Sequence, residues 1–190
     1  TPSSRGLGDV YKRQAVMQSF GCDVAVNEHV GDTLDEMVNF LKNAMEASLD
    51  LVSSSGAVSM GSYDFVKPAL EALGAQIVFH KVKQKPGRPL LFAILPNGTL
   101  YFGLPGTPVS TVVNCRCFVH YALSVMQQQY QEVSIKLPLE AGIDKPEGIA
   151  VFLKARCARA HHGASVCALE GQESFQTRPL LEMNGWVVMG

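Results

Sequence analysis

The segment from Leu49 to Gly74, LDLVSSSGAVSMGSYDFVKPALEALG, decides how this chain folds. Its opening, LDLVSS, is a short apolar run of the kind that forms a buried strand. SGAVSMGS follows as a loop of glycine and serine. In YDFVKPALEALG, Phe65, Val66, Ala69, Leu70 and Leu73 recur at helical spacing, and Gly74 supplies the stop. Pro68 lies near the first turn, where a missing amide is tolerated. Strand, loop and helix in that order are half of an α/β unit, and the neighbouring sequence repeats the alternation. Residues near Ala15–Phe20 finish a helix, and Cys22–Val26 reads as a strand with Val24 and Val26 alternating. The helix after HVGDT has Leu34, Met37, Val38, Leu41 and Met45 on one face. Asp32 or Thr33 can cap it, and Glu36 stands at the capping-box offset from Thr33. AQIVFHKV is another strand, KQKPGRP a basic loop, and LLFAILPNGTLYFG a hairpin turning at Asn97-Gly98. After GLPGTP, an apolar helix runs to about Val125.

This alternation predicts a three-layer α/β domain on a mostly parallel sheet, with the hairpin as its antiparallel element. From Glu132 the pattern changes. VSIKLPL, IAVFLKARCA, ASVCALE and GWVVM read as strands with turns between them, which predicts a small β-rich, barrel-like module. The expected organisation is an atypical or disordered segment over 1–14, the α/β domain over 15–129 and the β module over 130–190.

With 190 residues, 47% of them hydrophobic and 17% charged, the chain reads as globular. A formal net charge of −1 gives no general pull toward nucleic acid. No apolar run is long enough to span a membrane as a helix. Five cysteines without a CxxC pair read as free thiols of a reducing, cytoplasmic compartment.

Ligands of such a sheet gather beyond the carboxyl ends of its parallel strands, so the loops there are the candidates. HVGDT brings Asp32, either a cap or a carboxylate facing ligand. SSSGAVSMGSYD brings the hydroxyls of Ser54, Ser55 and Ser59, the amides around Gly56 and Gly61, and Asp64. A glycine–serine loop entering a helix suits phosphate, while Asp64 suits either a cap or Mg²⁺ held against a phosphate. KVKQKPGR gathers Lys81, Lys83, Lys85 and Arg88. On a continuing strand the three lysines share a face; several cations opposite two aspartates would suit a polyanionic ligand bridged by metal, and the alternative is a solvated loop. In GLPGTPVS, Pro108 fits a first helical turn, Thr107 can cap, and the amides of Val109 and Ser110 can receive an anion. The alternative is a turn that only shapes the entry to the helix. The metalloprotease pattern HExxH, the nucleophile elbow GxSxG and the dinucleotide fingerprint GxGxxG are all missing.

Taken together, VGDTLDEM, SSGAVSMGSYDFVKPALEALG, KQKPGRPLLFA and FGLPGTPVSTVV resemble the molybdopterin molybdenumtransferases, a family that includes the carboxyl-terminal part of gephyrin. Their order and spacing agree with the family from Asp32 to about Met126, and VFLKA and LEGQES resemble its final domain. The resemblance implies insertion of molybdate into adenylated molybdopterin, with release of AMP and a need for Mg²⁺. It implies Asp32 and Asp64 as metal-holding and catalytic residues, with Lys81 and Lys85 as catalytic cations. The ligand-binding set it implies is Ser54, Ser55, Gly56, Ser59, Gly61, Arg88, Pro105, Gly106, Thr107, Ser110, Lys154 and Ser174.

The sequence departs from the family pattern at Ala57, Arg88, Thr107 and Lys154, the last standing where an arginine is usual. Family enzymes carry two leading domains and dimerise, so the resemblance implies a fragment of a homodimeric enzyme. The second reading is a molybdopterin adenylyltransferase-like enzyme, against which the β-rich tail speaks. The third is a gephyrin-like scaffold that binds a receptor peptide.

Overall fold

The computed structural model describes residues 14–56, 65–130, 132–160 and 163–190. A helix α1, described over 14–19, opens it, and α2 (Leu34–Glu46) follows. Then come β1 (Leu51–Ser55), α3 (Val66–Ala72), β2 (Gln76–His80), β3 (Gln84–Lys85), β4 (Leu91–Ile94) and β5 (Leu100–Leu104). Three consecutive helical pieces return over the sheet: α4 (Pro108–Asn114), a turn widened to π geometry (Cys115–Val119) and α5 (His120–Met126). The chain ends in β6 (Ala150–Ala160), β7 (Gly163–Ala168), α6 (Pro179–Glu182) and β8 (Gly185–Met189).

The first sheet has the order β1-β5-β4-β2. β1 and β5 are parallel, with Leu51 opposite Leu100, and β4 is antiparallel to both β5 and β2. Three strands therefore point one way and the hairpin strand β4 runs against them. The sheet is mixed, because inserting β4 turns two of its three ladders antiparallel. Side-chain alternation divides the apolar residues between two layers. Val52, Leu91, Ala93 and Tyr101 face α2 and α3, where Met37, Leu41, Val66 and Leu70 complete one core. Leu90, Phe102 and Leu104 face the other way, onto Met17 of α1 and onto Cys115, Val119 and Leu123. Fully burying each such side chain stabilises the fold by roughly 1.5–3 kcal/mol, so the three-layer arrangement rests on both faces.

Local signals set several boundaries. Thr33 is the N-cap of α2; its Oγ1 accepts from the Glu36 amide at 3.3 Å and donates to Glu36 Oε2 at 2.5 Å. Gly74, at φ 73°, ends α3, with the Ala75 amide returning to the Leu70 carbonyl. Gly98, at φ 92°, makes the β4–β5 turn.

Two expected strands do not form. Cys22–Val26 runs beside β1 with Cys22 and Val24 turned to the core, but has no strand pairing. Its alternation matches a strand, yet the edge of β1 makes no ladder with it. VSIKLPL, 133–139, is also not a strand; only Leu139 bridges Val166. Val133 and Ile135 are exposed, so the alternating apolar residues have no layer to face.

The second sheet has the order β3-β6-β7, with β8 on β6. β3 comes from the first half of the chain, inside KQKPGRP, and pairs in parallel with Ala150–Val151. A two-residue strand thus ties the two halves together. No described helix is long and apolar enough to cross a membrane.

Candidate functional site

Two glycine turns meet at the carboxyl ends of the parallel strands. β1 ends at Ser55, and Gly56, at φ 86°, donates its amide to the Leu104 carbonyl at 3.2 Å. β5 ends beside it at Leu104. A Cβ added to Gly106 would lie 3.8 Å from the Gly56 Cα, so the two turns are close neighbours. Ser55 and Gly106 share a cavity of about 390 Å³ with Pro108, Thr111, Val112 and Leu180. Two of the loops singled out in the sequence, SSSG and GLPGTPVS, thus lie together at Ser55, Gly56 and Gly106. Ser59, Gly61 and Asp64 lie outside the described residues.

The turn Pro105–Ser110 is held from within. Buried Thr111 donates its hydroxyl to the Pro105 carbonyl at 2.5 Å and to the Thr107 carbonyl at 3.1 Å. Thr107 occupies the N-cap of α4 without capping it. Its hydroxyl donates to Oγ of Ser110 at 2.8 Å instead, and Ser110 is only 4% exposed. The Val109 amide donates to the Ser174 carbonyl at 3.2 Å. This corrects the expectation that the Val109 amide stands open to an anion: the distal module already occupies it. Ser174, a ligand-binding candidate of the distal module, is thereby brought to this turn through its backbone carbonyl.

Ser54 is paired through its hydroxyl with the Tyr101 hydroxyl at 2.5 Å. Asp32 is exposed one residue ahead of the cap, and no described residue pairs with it. Thr33, not Asp32, caps α2, which leaves the carboxylate available. Among the described residues no group of three His, Cys, Asp or Glu could hold a metal. Of the two candidate carboxylates only Asp32 is among the described residues; Mg²⁺ typically takes one or two protein carboxylates and completes its octahedron with water and substrate phosphate.

The basic segment forms a hairpin extension. Lys81 donates its amide to the Leu90 carbonyl at 2.8 Å, and Val82 to the Arg88 carbonyl at 3.0 Å. Lys81, Lys83, Lys85 and Arg88 are all exposed, alternating with half-buried Val82 and buried Gln84. β2 stops at His80, and Lys81 has φ 76°, so the lysines belong to a bent hairpin and not to one continuing strand.

Three residues at this end of the sheet are new relative to the sequence reading. Gln84 Nε2 donates to Asn114 Oδ1 at 2.6 Å and to the Pro86 carbonyl at 3.1 Å, and Asn114 Nδ2 donates to the Gly87 carbonyl at 3.0 Å. This buried pair fixes the basic hairpin to the end of α4. The signal was present as Asn114 amid VVNCRCF and Gln84 between lysines, two amides in apolar or charged company. The third is His80, whose Nε2 is buried with no partner among the described residues. It pairs with Leu91 across the ladder, on the sheet face that carries Ser54.

Lys154 behaves differently from the expected ligand cation. It is 1% exposed, and its Nζ donates to the carbonyls of Gly171 at 2.5 Å, Gln176 at 3.1 Å and Glu173 at 3.2 Å. All three N–H groups of the ammonium are thereby engaged. Burial pushes its pKa below the ordinary lysine value, with Glu173 opposing that shift.

A model of the family described as a probable molybdopterin binding domain matches residues 14–124. The chain belongs to that family. It is 35% identical over 174 residues to a molybdopterin molybdenumtransferase of Synechococcus elongatus, a match covering 91% of this chain and 42% of that protein. The chain thus spans less than half the length of this curated relative. A crystal structure of the molybdopterin biosynthesis moeA protein from Pyrococcus horikoshii superposes with a TM-score of 0.71 at 22% identity, covering all of this chain and 45% of that one. The molybdopterin biosynthesis Mog protein from Mycobacterium ulcerans covers 63% of the chain with a TM-score of 0.50 at 20% identity. At such identities the likeness is one of fold. For this molybdopterin-binding domain, the moeA-type fold accounts for the β-rich tail, as the sequence expectation of an α/β domain followed by a β module requires. The family reading drawn from the four motifs stands.

Proposed function

We propose that this chain is the molybdopterin-binding and distal part of a molybdopterin molybdenumtransferase, which inserts molybdate into adenylated molybdopterin and releases AMP. The observation that carries the reading is the meeting of the Ser55–Gly56 and Pro105–Ser110 turns at the carboxyl ends of parallel β1 and β5. Two adjacent glycine turns, exposed at Gly106 and Thr107, suit a phosphate-bearing ligand. In this reading Ser54, Ser55, Gly56, Ser59, Gly61, Pro105, Gly106, Thr107 and Ser110 form the seat of the pterin nucleotide. Lys81, Lys85 and Arg88 meet phosphate or molybdate oxygens and stabilise charge that develops there. Asp32 and Asp64 hold Mg²⁺, which neutralises phosphate charge when bound. Ser174 enters as part of the wall. The complete enzyme works as a cytoplasmic homodimer.

Calorimetry of this chain with adenylated molybdopterin, with and without Mg²⁺, tests the reading. Binding that Mg²⁺ strengthens, and that loses its Mg²⁺ dependence in Asp32→Ala, is the expected result. Equal heats with and without the pterin nucleotide would remove the proposal and leave a scaffold role as the better account.

A further inference from the structure

The loop between β7 and α6, residues 169–178, is built by Lys154 from inside the second sheet. Lys154 lies on β6, opposite Trp186 of β8. Its backbone and side chain both reach the loop. The Lys154 amide donates to Gln172 Oε1 at 2.9 Å, Gln172 Nε2 returns to the Lys154 carbonyl at 2.9 Å, and the Leu169 amide donates to that same carbonyl at 2.9 Å. The ammonium then gathers the carbonyls of Gly171, Glu173 and Gln176. Those carbonyls bracket Ser174, and the Ser174 carbonyl is the one that receives the Val109 amide at the Pro105–Ser110 turn.

A buried ammonium holds the carbonyls around it tightly, because without them it would be a desolvated charge with no acceptors. Around the ammonium the loop's side chains face outward: Phe175 is 69% exposed, and Glu173 and Gln176 are also exposed, while Gln172 Nε2 adds a bond to the Leu169 carbonyl at 2.6 Å. Gly171, at φ 71°, is pressed against Gln176, whose Oε1 would lie 2.2 Å from an added Cβ, so the loop is tightly folded around the ammonium.

We infer that Lys154 is a positioning residue: it sets the 169–178 loop so that Ser174 stands against the Pro105–Ser110 turn, and thereby sets how that turn receives a tetrahedral oxyanion. The inference rests on the proposed function for the identity of the oxyanion. It assigns Lys154 no contact with ligand.

The test uses the full chain and molybdate alone as probe. Amide hydrogen exchange at Val109 reads the contact with Ser174, and calorimetry reads molybdate affinity. Lys154→Met is expected to speed exchange at Val109 by about tenfold or more while the Tyr101 amide in the core stays protected. Molybdate binding should weaken by a similar factor, and Lys154→Arg should restore part of both. If Lys154→Met does not fold, Gln172→Ala cuts the loop's other tie while leaving the ammonium, and the same two readouts apply. Val109 exchange that stays slow in a folded Lys154→Met overturns the inference. So does faster exchange with unchanged molybdate affinity, because Lys154 would then be structural only. A wild-type chain that binds no molybdate removes the functional reading as well, which distinguishes the two failures.

Discussion

Two glycine-led turns feed helices in this molecule, and they are closed in opposite ways. At Gly31–Thr33 the closure is local. Thr33 caps α2, Glu36 answers it, and the Glu36 carboxylate folds so tightly over Gly31 that an added Cβ would lie within 2.3 Å of it. At Pro105–Ser110 the closure is remote. Thr107 sits at the cap position without capping, Thr111 ties the turn from within the helix, and Ser174, more than sixty residues on, takes the first amide. A turn that closes itself leaves its neighbouring carboxylate, Asp32, exposed. A turn closed from a distance puts its own shape under the control of the distal module.

Substitutions separate these two modes. The largest effect belongs to Gly87→Ala, in the hairpin fastened to the far end of α4. At φ 94° its Cβ would come within 2.6 Å of Asn114 Oδ1 and 2.7 Å of Gln84 Nε2. Backbone strain and a broken buried pair together cost about 3 kcal/mol, and urea midpoints should fall accordingly. Thr111→Val comes next. It leaves the buried Pro105 carbonyl without its hydroxyl donor and should cost about 1–2 kcal/mol, with faster amide exchange at Val109.

Thr33→Ala removes a cap whose closure is local, so about 1 kcal/mol is expected. Exchange should rise in the first turn of α2 and stay unchanged at Val109. The smallest effect is Thr107→Ala, at an N-cap that makes no cap bond; less than about 0.5 kcal/mol is expected in stability. A loss at Thr107 as large as at Thr33 would erase the contrast between the two turns.

The same contrast explains what was legible in the sequence. The capping box, the hairpin at Asn97-Gly98 and the apolar stripe of α3 are short-range patterns, and each forms as read. Both failed strands, Cys22–Val26 and 133–139, carry strand-like alternation. Alternation specifies a face but not a partner, and neither segment found a ladder. Lys154 was read as a ligand cation from its place in the motif. Its burial depends on carbonyls 17 to 22 residues away, and no local pattern announces them. Gln84 and Asn114 are 30 residues apart, and their pairing likewise needs the hairpin and the helix to be in place.

The parallel pairing of Gln84–Lys85 with Ala150–Val151 has a consequence for synthesis of the chain. Some sixty residues separate the hairpin from its partner strand, so the hairpin is made well before that strand exists. The basic hairpin therefore waits with one edge unpaired while the first sheet is already able to form, since all four of its strands lie before Leu104. Non-local pairing of this kind is slow. Docking of β6 onto the hairpin has to wait for the second half of the chain, the same half that carries Ser174 to the mouth of the site.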